Sequence, residues 1–149
     1  MPNLFPVNES GGVLEEVKVS KQTVFGRSWR FDFETGEFMV TPAGKVVTAD
    51  EDQAWVEWCQ KALHTERYRY LAYSRSYGQE FDDLIALHLT REANEMELKR
   101  MTKEALMADP RTAKAEMVSL QWEGDHCFFM CEVTSRRGTS VQMNMRMVP

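Results

Sequence analysis

The amino-acid sequence predicts a single α+β domain with an N-terminal β-hairpin, about three helices and a C-terminal antiparallel sheet of about three strands. Two observations predict this class. Apolar residues recur with helical spacing in the middle of the chain, whereas on either side they alternate with polar residues at the period of two that a half-buried strand requires. Turn residues separate the alternating segments, which favours antiparallel pairing. We therefore expect the helices to cover one side of the sheet.

Length and composition are typical of one soluble globular domain. The chain has 149 residues, of which 43% are hydrophobic and 28% charged, and this balance fits a single core. No apolar run approaches the roughly 20 residues needed to span a bilayer, so we expect a cytoplasmic protein without a membrane partner. The net charge of −5 disfavours a nucleic-acid partner, because phosphate binding requires clustered lysines and arginines.

The N-terminal part of the chain predicts an arm followed by a hairpin. Two prolines and the Gly11-Gly12 pair predict a flexible arm over residues 1–22, and residues 23–149 are predicted to form one domain. From Ser28 onward the pattern alternates, then reaches a turn at Gly36 and a returning strand. The residues that share one face of the first strand are Trp29, Phe31 and Phe33.

The first helix is predicted from its apolar stripe and its N-terminal residues. Thr48 followed three residues later by Glu51 is a capping-box pattern, which predicts that the helix begins after Thr48. The buried stripe at i, i+3, i+4 and i+7 comprises Trp55, Trp58, Cys59 and Ala62.

Arginines alternate with tyrosines in the segment after this helix. The alternation predicts a strand with Arg67 and Arg69 on one side and Tyr68 and Tyr70 on the other. Three interpretations remain open: a stacking platform for single-stranded nucleic acid, a protein-binding surface, or tyrosines in the core with arginines at its rim. The acidic balance of the chain favours a protein partner. Tyrosines continue toward the turn at Gly78, at Tyr73 and Tyr77.

Two further helices and three strands complete the prediction. The second helix has apolar spacing at Phe81, Leu84, Ile85 and His88, and the third runs from about Arg91 to Ala108 behind a Thr90 cap and ends before Pro110. The apolar residues expected in its stripe are Leu98, Met101, Ala105 and Ala108. The three strands are expected to bury Val118, Leu120 and Trp122, then Cys127, Phe129, Cys131 and Val133, then Val141, Met143, Met145 and Met147.

The cysteines are predicted to be reduced core residues. The chain has three of them, and an odd count favours a reducing compartment. Cys127 and Cys131 lie four residues apart on one strand, which is about 13 Å and exceeds the roughly 7 Å limit for a disulfide.

The sequence shows no recognisable catalytic or metal-binding motif. His64, His88 and His126 stand in no nucleophile signature, and no phosphate loop is present. Glu66 with Asp82 or Asp83 could form the pair of catalytic carboxylates that a glycosidase requires. The simpler interpretation is that acidic residues in the first turn of a helix stabilise that helix. We predict no enzymatic activity, cofactor or metal, with a glycoside hydrolase or a single-stranded nucleic-acid-binding module as the alternative.

Three separated blocks resemble one protein family. They run over residues 29–38, 58–78 and 100–111, within a similarity that covers about residues 28–133. The pattern resembles a small phage-tail protein family of contractile prophages and phage-like particles in Gram-positive bacteria. That family is similar to the baseplate wedge protein of T-even phages, called lysozyme-like, and to its counterpart in type VI secretion baseplates.

The resemblance implies a structural protein without catalytic residues. It implies a position at the junction of baseplate and sheath, with multiple copies in a symmetric ring that link the baseplate wedge to the sheath and initiate its assembly. The implied partners are baseplate wedge proteins, the tail sheath protein and tube or hub proteins. The implied location is the host cytoplasm during assembly and then the baseplate of a virion or phage-tail-like particle.

The predicted partner interface combines this resemblance with the residue patterns. The Glu-Pro-Arg motif of the wider family maps onto Asp109, Pro110 and Arg111, where the acid is one methylene shorter. The cleanly alternating strand over residues 139–148 predicts an edge that pairs with an incoming strand. The full set comprises Arg67, Tyr68, Arg69, Tyr70, Tyr73, Tyr77, Asp109, Pro110, Arg111, Gln142 and Asn144.

Overall fold

A computed structural model describes residues 23–148 and confirms the α+β class. The predicted arm over residues 1–22 lies outside the described residues. The elements are β1 (Arg27–Trp29), β2 (Phe31–Asp32), β3 (Glu37–Phe38), β4 (Thr48–Asp50), α1 (Asp52–His64), α2 (Phe81–Ala86), α3 (Arg91–Met107), β5 (Thr112–Glu123), β6 (His126–Ser135) and β7 (Ser140–Met147). None of the helices in residues 23–148 has both the length and the hydropathy of a membrane span.

The N-terminal hairpin is present, but its strands are short. Strand β2 pairs with β3 through Phe31 and Phe38, and β1 pairs with β4, so that Trp29 lies opposite Thr48. The turn between β2 and β3 contains Gly36 at φ +76°, a backbone conformation that glycine adopts without a steric penalty. Residues 27–50 therefore form a small β unit that precedes α1.

Helix α1 has the predicted apolar stripe but not the predicted cap. Thr48 belongs to strand β4, and the helix begins at Asp52 behind Glu51, which makes no side-chain capping bond. Trp55 is fully buried, and its indole N–H donates to Thr112 Oγ1 at 2.9 Å. The capping-box prediction was wrong because β4 continues through Asp50, so the residues that follow Thr48 are extended and the helix begins only at Asp52.

The predicted strand over residues 67–70 is absent, and a loop takes its place. Tyr68 has φ +68°, a left-handed conformation that interrupts the alternation of a strand. Arg67 is buried, whereas Tyr68 and Tyr70 are 63% and 53% exposed. This is the reverse of the interpretation that placed the tyrosines in the core.

The second and third helices confirm the prediction with small differences in length. Helix α2 ends at Ala86, so His88 lies beyond it, exposed and at φ +49°. Thr90 Oγ1 accepts a hydrogen bond from the Ala93 N–H, which confirms the cap of α3. Ala108 is exposed because α3 ends one residue earlier. The buried residues of α3 are Leu98, Met101, Thr102, Ala105 and Leu106.

The C-terminal sheet has the predicted antiparallel strands in the order β5-β6-β7. Alternate residues of β6 and β7 are buried beneath the helices, as the ring contact between Phe81 of α2 and Phe129 of β6 illustrates. A register shift between Met117 and Ser119 indicates a bulge that leaves Val118 55% exposed, although the alternation placed it in the core.

The three cysteines are free and buried, as the sequence predicted. Burial raises the pKa of Cys59 and of Cys131 to about 12, and that of Cys127 to about 11. The reactive thiolate is therefore scarce at neutral pH.

We expect the native protein to resist thiol-specific labelling at pH 7. A chromogenic disulfide reagent should react with all three thiols within minutes in urea, and at least about a hundredfold more slowly without denaturant, because both burial and protonation oppose attack. Rapid labelling of the native protein would contradict this description of the core.

Candidate partner-binding site

The loop over residues 66–79, here called the tyrosine loop, is closed by a buried arginine. The closure lies where the two ends of the loop meet at Arg67 and Gly78, here called the neck. The Arg67 guanidinium donates to the Gly78 carbonyl oxygen from Nε (3.3 Å) and Nη2 (3.1 Å). Its Nη1 donates to Glu104 of α3 at 2.7 Å and lies 3.5 Å from Glu80. Gly78 has φ +96°, and a Cβ there would lie 2.6 Å from the Thr65 carbonyl oxygen, so the neck closes this tightly only around glycine.

The charges at the neck stabilise one another. Burial by itself would lower the pKa of Arg67, but its hydrogen bond to Glu104 and the charges of Glu104 and Glu80 raise it overall. The same hydrogen bond to Arg67 lowers the pKa of Glu104. Arg67 therefore remains a cation whose guanidinium bonds are made within the fold, and its place in a partner interface stays a prediction.

The tyrosine loop presents some side chains to solvent and turns others inward. Tyr68, Tyr70 and Leu71 are exposed, and no other residue of 23–148 shields the Leu71 side chain from solvent. Tyr77 is buried, with its ring centroid 5.4 Å from that of Trp58 and 4.5 Å from that of Tyr73. Burial also raises the pKa of Tyr77 to about 12. Only the outer part of the predicted tyrosine surface is accessible.

An aromatic groove of about 580 Å³ separates the N-terminal hairpin from the tyrosine loop. The outward face of α1 forms its floor at Ala54, Glu57 and Trp58. The aromatic residues along its walls are Trp29, Phe31, Phe33 and Phe38 of the hairpin and Tyr73 and Tyr77 of the loop. The sequence predicted that the first three share a face, but did not predict the groove, because the opposite wall comes from residues more than thirty positions later.

Asp109 and Arg111 hold the N-terminal strand in place. Asp109 is 4% exposed, and Arg111 donates to both of its carboxylate oxygens at 2.6 to 3.0 Å. The Arg111 Nη1 also donates to the Phe25 carbonyl oxygen at 2.6 Å, and the Arg137 guanidinium lies 4.0 Å above the Phe25 ring. The side chains of Asp109 and Arg111 bond within the fold, and Pro110 between them is exposed, so the interface predicted at these three residues stays a prediction.

Strand β7 has one edge that no other strand pairs with among residues 23–148. The Ser135 N–H donates to the Thr139 carbonyl oxygen at 2.8 Å, and the β6–β7 register continues from there without a shift. Because hydrogen-bonded pairs alternate along an antiparallel ladder, the backbone N–H and C=O groups at positions 140, 142, 144 and 146 point away from β6. Gln142 and Asn144 thus carry edge-facing backbone groups, while the Gln142 side chain donates to Glu132 at 3.1 Å.

The residues predicted for the interface lie on three separate elements: the tyrosine loop, the α3–β5 junction and β7. Neither alternative function gains a specific site. Glu66, one member of the hypothetical glycosidase pair, forms an ion pair with Arg69 at 3.1 Å. No group of three or more histidine, cysteine, aspartate or glutamate side chains suited to a metal occurs within the described range.

The chain matches a family model, and it is similar to a phage-like protein and to a chain of a solved baseplate structure. The family model for the contractile injection system sheath initiator matches residues 27–138. Phage-like element PBSX protein XkdS of Bacillus subtilis (strain 168) is 30% identical over 122 residues, which are 79% of this chain and 82% of that protein. A chain in the 6-fold symmetrised cryo-EM structure of the anti-feeding prophage baseplate is 13% identical, with a TM-score of 0.48, and the similarity covers 83% of this chain and 85% of that one.

Charge reversal should separate the arginines of the fold from the arginine of the surface. We expect Arg67→Glu and Arg111→Glu each to lower the free energy of unfolding by about 3–5 kcal/mol. Arg67→Glu places a carboxylate in a buried position beside Glu104 and Glu80, and Arg111→Glu leaves the buried Asp109 without its partner. Arg69→Glu should change it by less than about 1 kcal/mol, since the Arg69 side chain is 61% exposed. Urea unfolding followed by circular dichroism measures these changes, and equal effects at all three positions would contradict the structure.

The Arg67–Glu104 pair should also make stability depend on pH. At pH 7 we expect Glu104→Gln to cost about 1 kcal/mol, a value reduced by the half-exposure of Glu104. Because folding lowers the pKa of Glu104, its contribution is present above the usual value of 4.5 and is lost as the pH falls through the folded value. The difference from wild type should therefore shrink below pH 4.5.

Glu97→Gln is the matched control for this experiment. Among residues 23–148, Glu97 forms an ion pair only with the exposed Arg100, at 2.9 Å. Its replacement should therefore have little effect on stability at pH 7 or below pH 4.5. A constant difference between wild type and Glu104→Gln from pH 7 to pH 3 would show that the ion pair does not stabilise the neck.

Proposed function

The chain belongs to the contractile injection system sheath initiator family. From this premise we propose that it links the baseplate wedge to the tail sheath. We propose further that it starts sheath assembly by pairing β7 with an incoming strand. Family membership makes the chain a structural component of a contractile injection system and favours a role other than catalysis. The unpaired edge of β7 is the observation that carries the strand-pairing mechanism.

The β7 edge has the properties that strand addition requires. The strand contains eight residues, pairs with β6 without a register shift, and lacks proline and lysine. Natural edge strands that avoid pairing usually carry a bulge, a proline or an inward charge. Four outward residues offer four donors and four acceptors, and each bond contributes about 0.5–1.5 kcal/mol net, so backbone pairing alone supplies several kcal/mol.

The opposite edge of the sheet is less suited to this role. Strand β5 has register shifts between Thr112 and Lys114 and between Met117 and Ser119, and such bulges twist an edge away from regular pairing. The Lys114–Glu116 ion pair adds charge along the same strand. We therefore assign the incoming strand to β7.

The outer surface of the tyrosine loop is our candidate for the wedge contact. Tyr68, Tyr70 and Leu71 form an exposed apolar group, and Arg69 lies 5.9 Å from the Tyr70 ring. Tyrosine and arginine are enriched among residues that dominate binding energy at interfaces. The closed neck holds this group in one conformation, which reduces the entropy lost on binding.

The assembly we propose is a ring of identical copies at the collar of the baseplate. Each copy uses residues 23–149 as one domain, preceded by residues 1–22 as an arm, and is made and assembled in the host cytoplasm. Several weak strand pairings in a closed ring act together, so that sheath initiation is strong even when a single pairing is not. Contacts with tube or hub proteins belong to the same proposal.

A proline at an outward position of β7 tests the mechanism. We expect Gln142→Pro to abolish sheath growth in cells that lack the wild-type gene, while the variant still enters baseplates, because it removes a backbone donor from the free edge alone. Electron microscopy of the particles measures sheath length, and immunoblotting of purified baseplates measures incorporation. Normal sheaths built on Gln142→Pro would refute the assignment of this edge.

Two control variants separate the edge from the stability of the sheet. Gln142→Ala keeps the backbone N–H and should support normal sheaths. Met143→Pro removes an N–H that bonds to β6, so it should lower the melting temperature and reduce incorporation into the baseplate itself.

A further inference from the structure

We propose that the aromatic groove binds an acidic segment of another particle component, with a large apolar side chain of that segment inserted between the hairpin and the tyrosine loop. This inference rests on the proposed structural role and names the chemistry of a second contact, separate from the β7 edge. Three properties of the groove favour such a ligand: its rigidity, its exposed apolar rim and its charge.

The groove is preformed. On the hairpin side, the Phe31 ring lies 5.0 Å from the Phe33 ring and 5.2 Å from the Phe38 ring, both in edge-to-face arrangements. On the opposite side, Tyr77 packs edge-on against Trp58. The Arg67 neck fixes the base of that wall. A rigid aromatic site loses little entropy when a side chain enters it.

The hairpin rim exposes large apolar side chains next to the groove. Trp29 and Phe38 are each 54% exposed, and Val40 is 61% exposed. Trp29 and Phe38 both line the groove, and exposed apolar side chains beside a concave site are typical of binding surfaces in soluble proteins. A segment that fills the groove would also cover this rim.

The accessible charge at the groove is positive. Lys61 lies on its edge, exposed, with Nζ 5.0 Å from the centre of the Tyr73 ring, and no carboxylate within the described part of the chain forms an ion pair with it. The other cations that line the groove, Arg27 and Arg111, are already paired with Asp50 and Asp109, each at 2.6 Å. In a chain with a net charge of −5, a free lysine beside an aromatic groove favours an acidic ligand.

The Glu57 carboxylate at the floor of the groove does not reverse the preference for an acidic ligand. Glu57 is 5% exposed, and Arg30 Nε lies 3.6 Å from its Oε1. Its two oxygens also accept hydrogen bonds from the Gln53 side chain (3.3 Å) and the Phe31 N–H (3.4 Å). The charge of Glu57 is therefore balanced beneath the groove, whereas that of Lys61 faces the ligand.

Photo-crosslinking in assembled particles tests the proposal. The variant Phe38→p-benzoylphenylalanine places the probe on the groove rim, and mass spectrometry of the crosslinked peptide identifies what lies against it. We expect a segment of another particle protein with net negative charge and at least one large apolar residue. The same probe at Gln121, on the exposed side of β5, should not capture that segment.

Charge variants at Lys61 make the test specific. Lys61→Glu should reduce the crosslink yield at least about tenfold, Lys61→Arg should retain it, and thermal unfolding should show that both variants fold normally. A basic segment, an unchanged yield in Lys61→Glu, or particles that contain the chain but give no crosslink would overturn this inference and leave the proposed function intact. Absence of the chain from particles would overturn both.

Discussion

The closed neck of the tyrosine loop depends on one requirement: a guanidinium that is almost completely removed from water must have all of its charge and its donors satisfied. Arg67 meets this requirement with a backbone carbonyl from its own loop and a carboxylate from a distant helix. Because the same group bonds to both, the loop cannot open without separating from α3. This side chain, the backbone bonds between Arg67 and Gln79 and between Gln79 and Thr65, and the packing of Tyr77 on Trp58 together position the aromatic wall of the groove.

Arginine side chains also hold the N-terminal part of the described chain in place. Arg111 and Arg137 both contact Phe25, one through its carbonyl oxygen and the other through its ring. These contacts join the start of the described chain to the sheet that completes it, over a separation of 86 residues. Planar guanidinium groups suit such positions because they bond to oxygen at their edges and stack on aromatic rings with their faces.

Much of the fold could be predicted from the sequence because its helices and strands each bury one face. The stripe of α1 and the alternation of β6 follow directly from that burial, and both appear in the structure. The Arg-Tyr alternation after α1 was misleading, because the partner of Arg67 is Glu104, which lies 37 residues away, and no local pattern reports it. The assignment of Arg111 to an interface followed the family motif, whereas the structure bonds its guanidinium to Asp109, two residues away, and to the Phe25 carbonyl oxygen. The groove was missed because its two walls are far apart along the chain.

The alternation of hydrogen bonds along β7 has a consequence for how such a surface evolves. An edge that is recognised through main-chain atoms imposes almost no condition on residue type, apart from excluding proline and keeping the apolar face toward the helices. If β7 pairs as proposed, the side chains at positions 140, 142, 144 and 146 are free to diverge between lineages without loss of strand pairing, and a foreign strand of similar shape would be accepted as readily as the native one. Discrimination between correct and incorrect components must therefore come from side-chain surfaces elsewhere on the molecule.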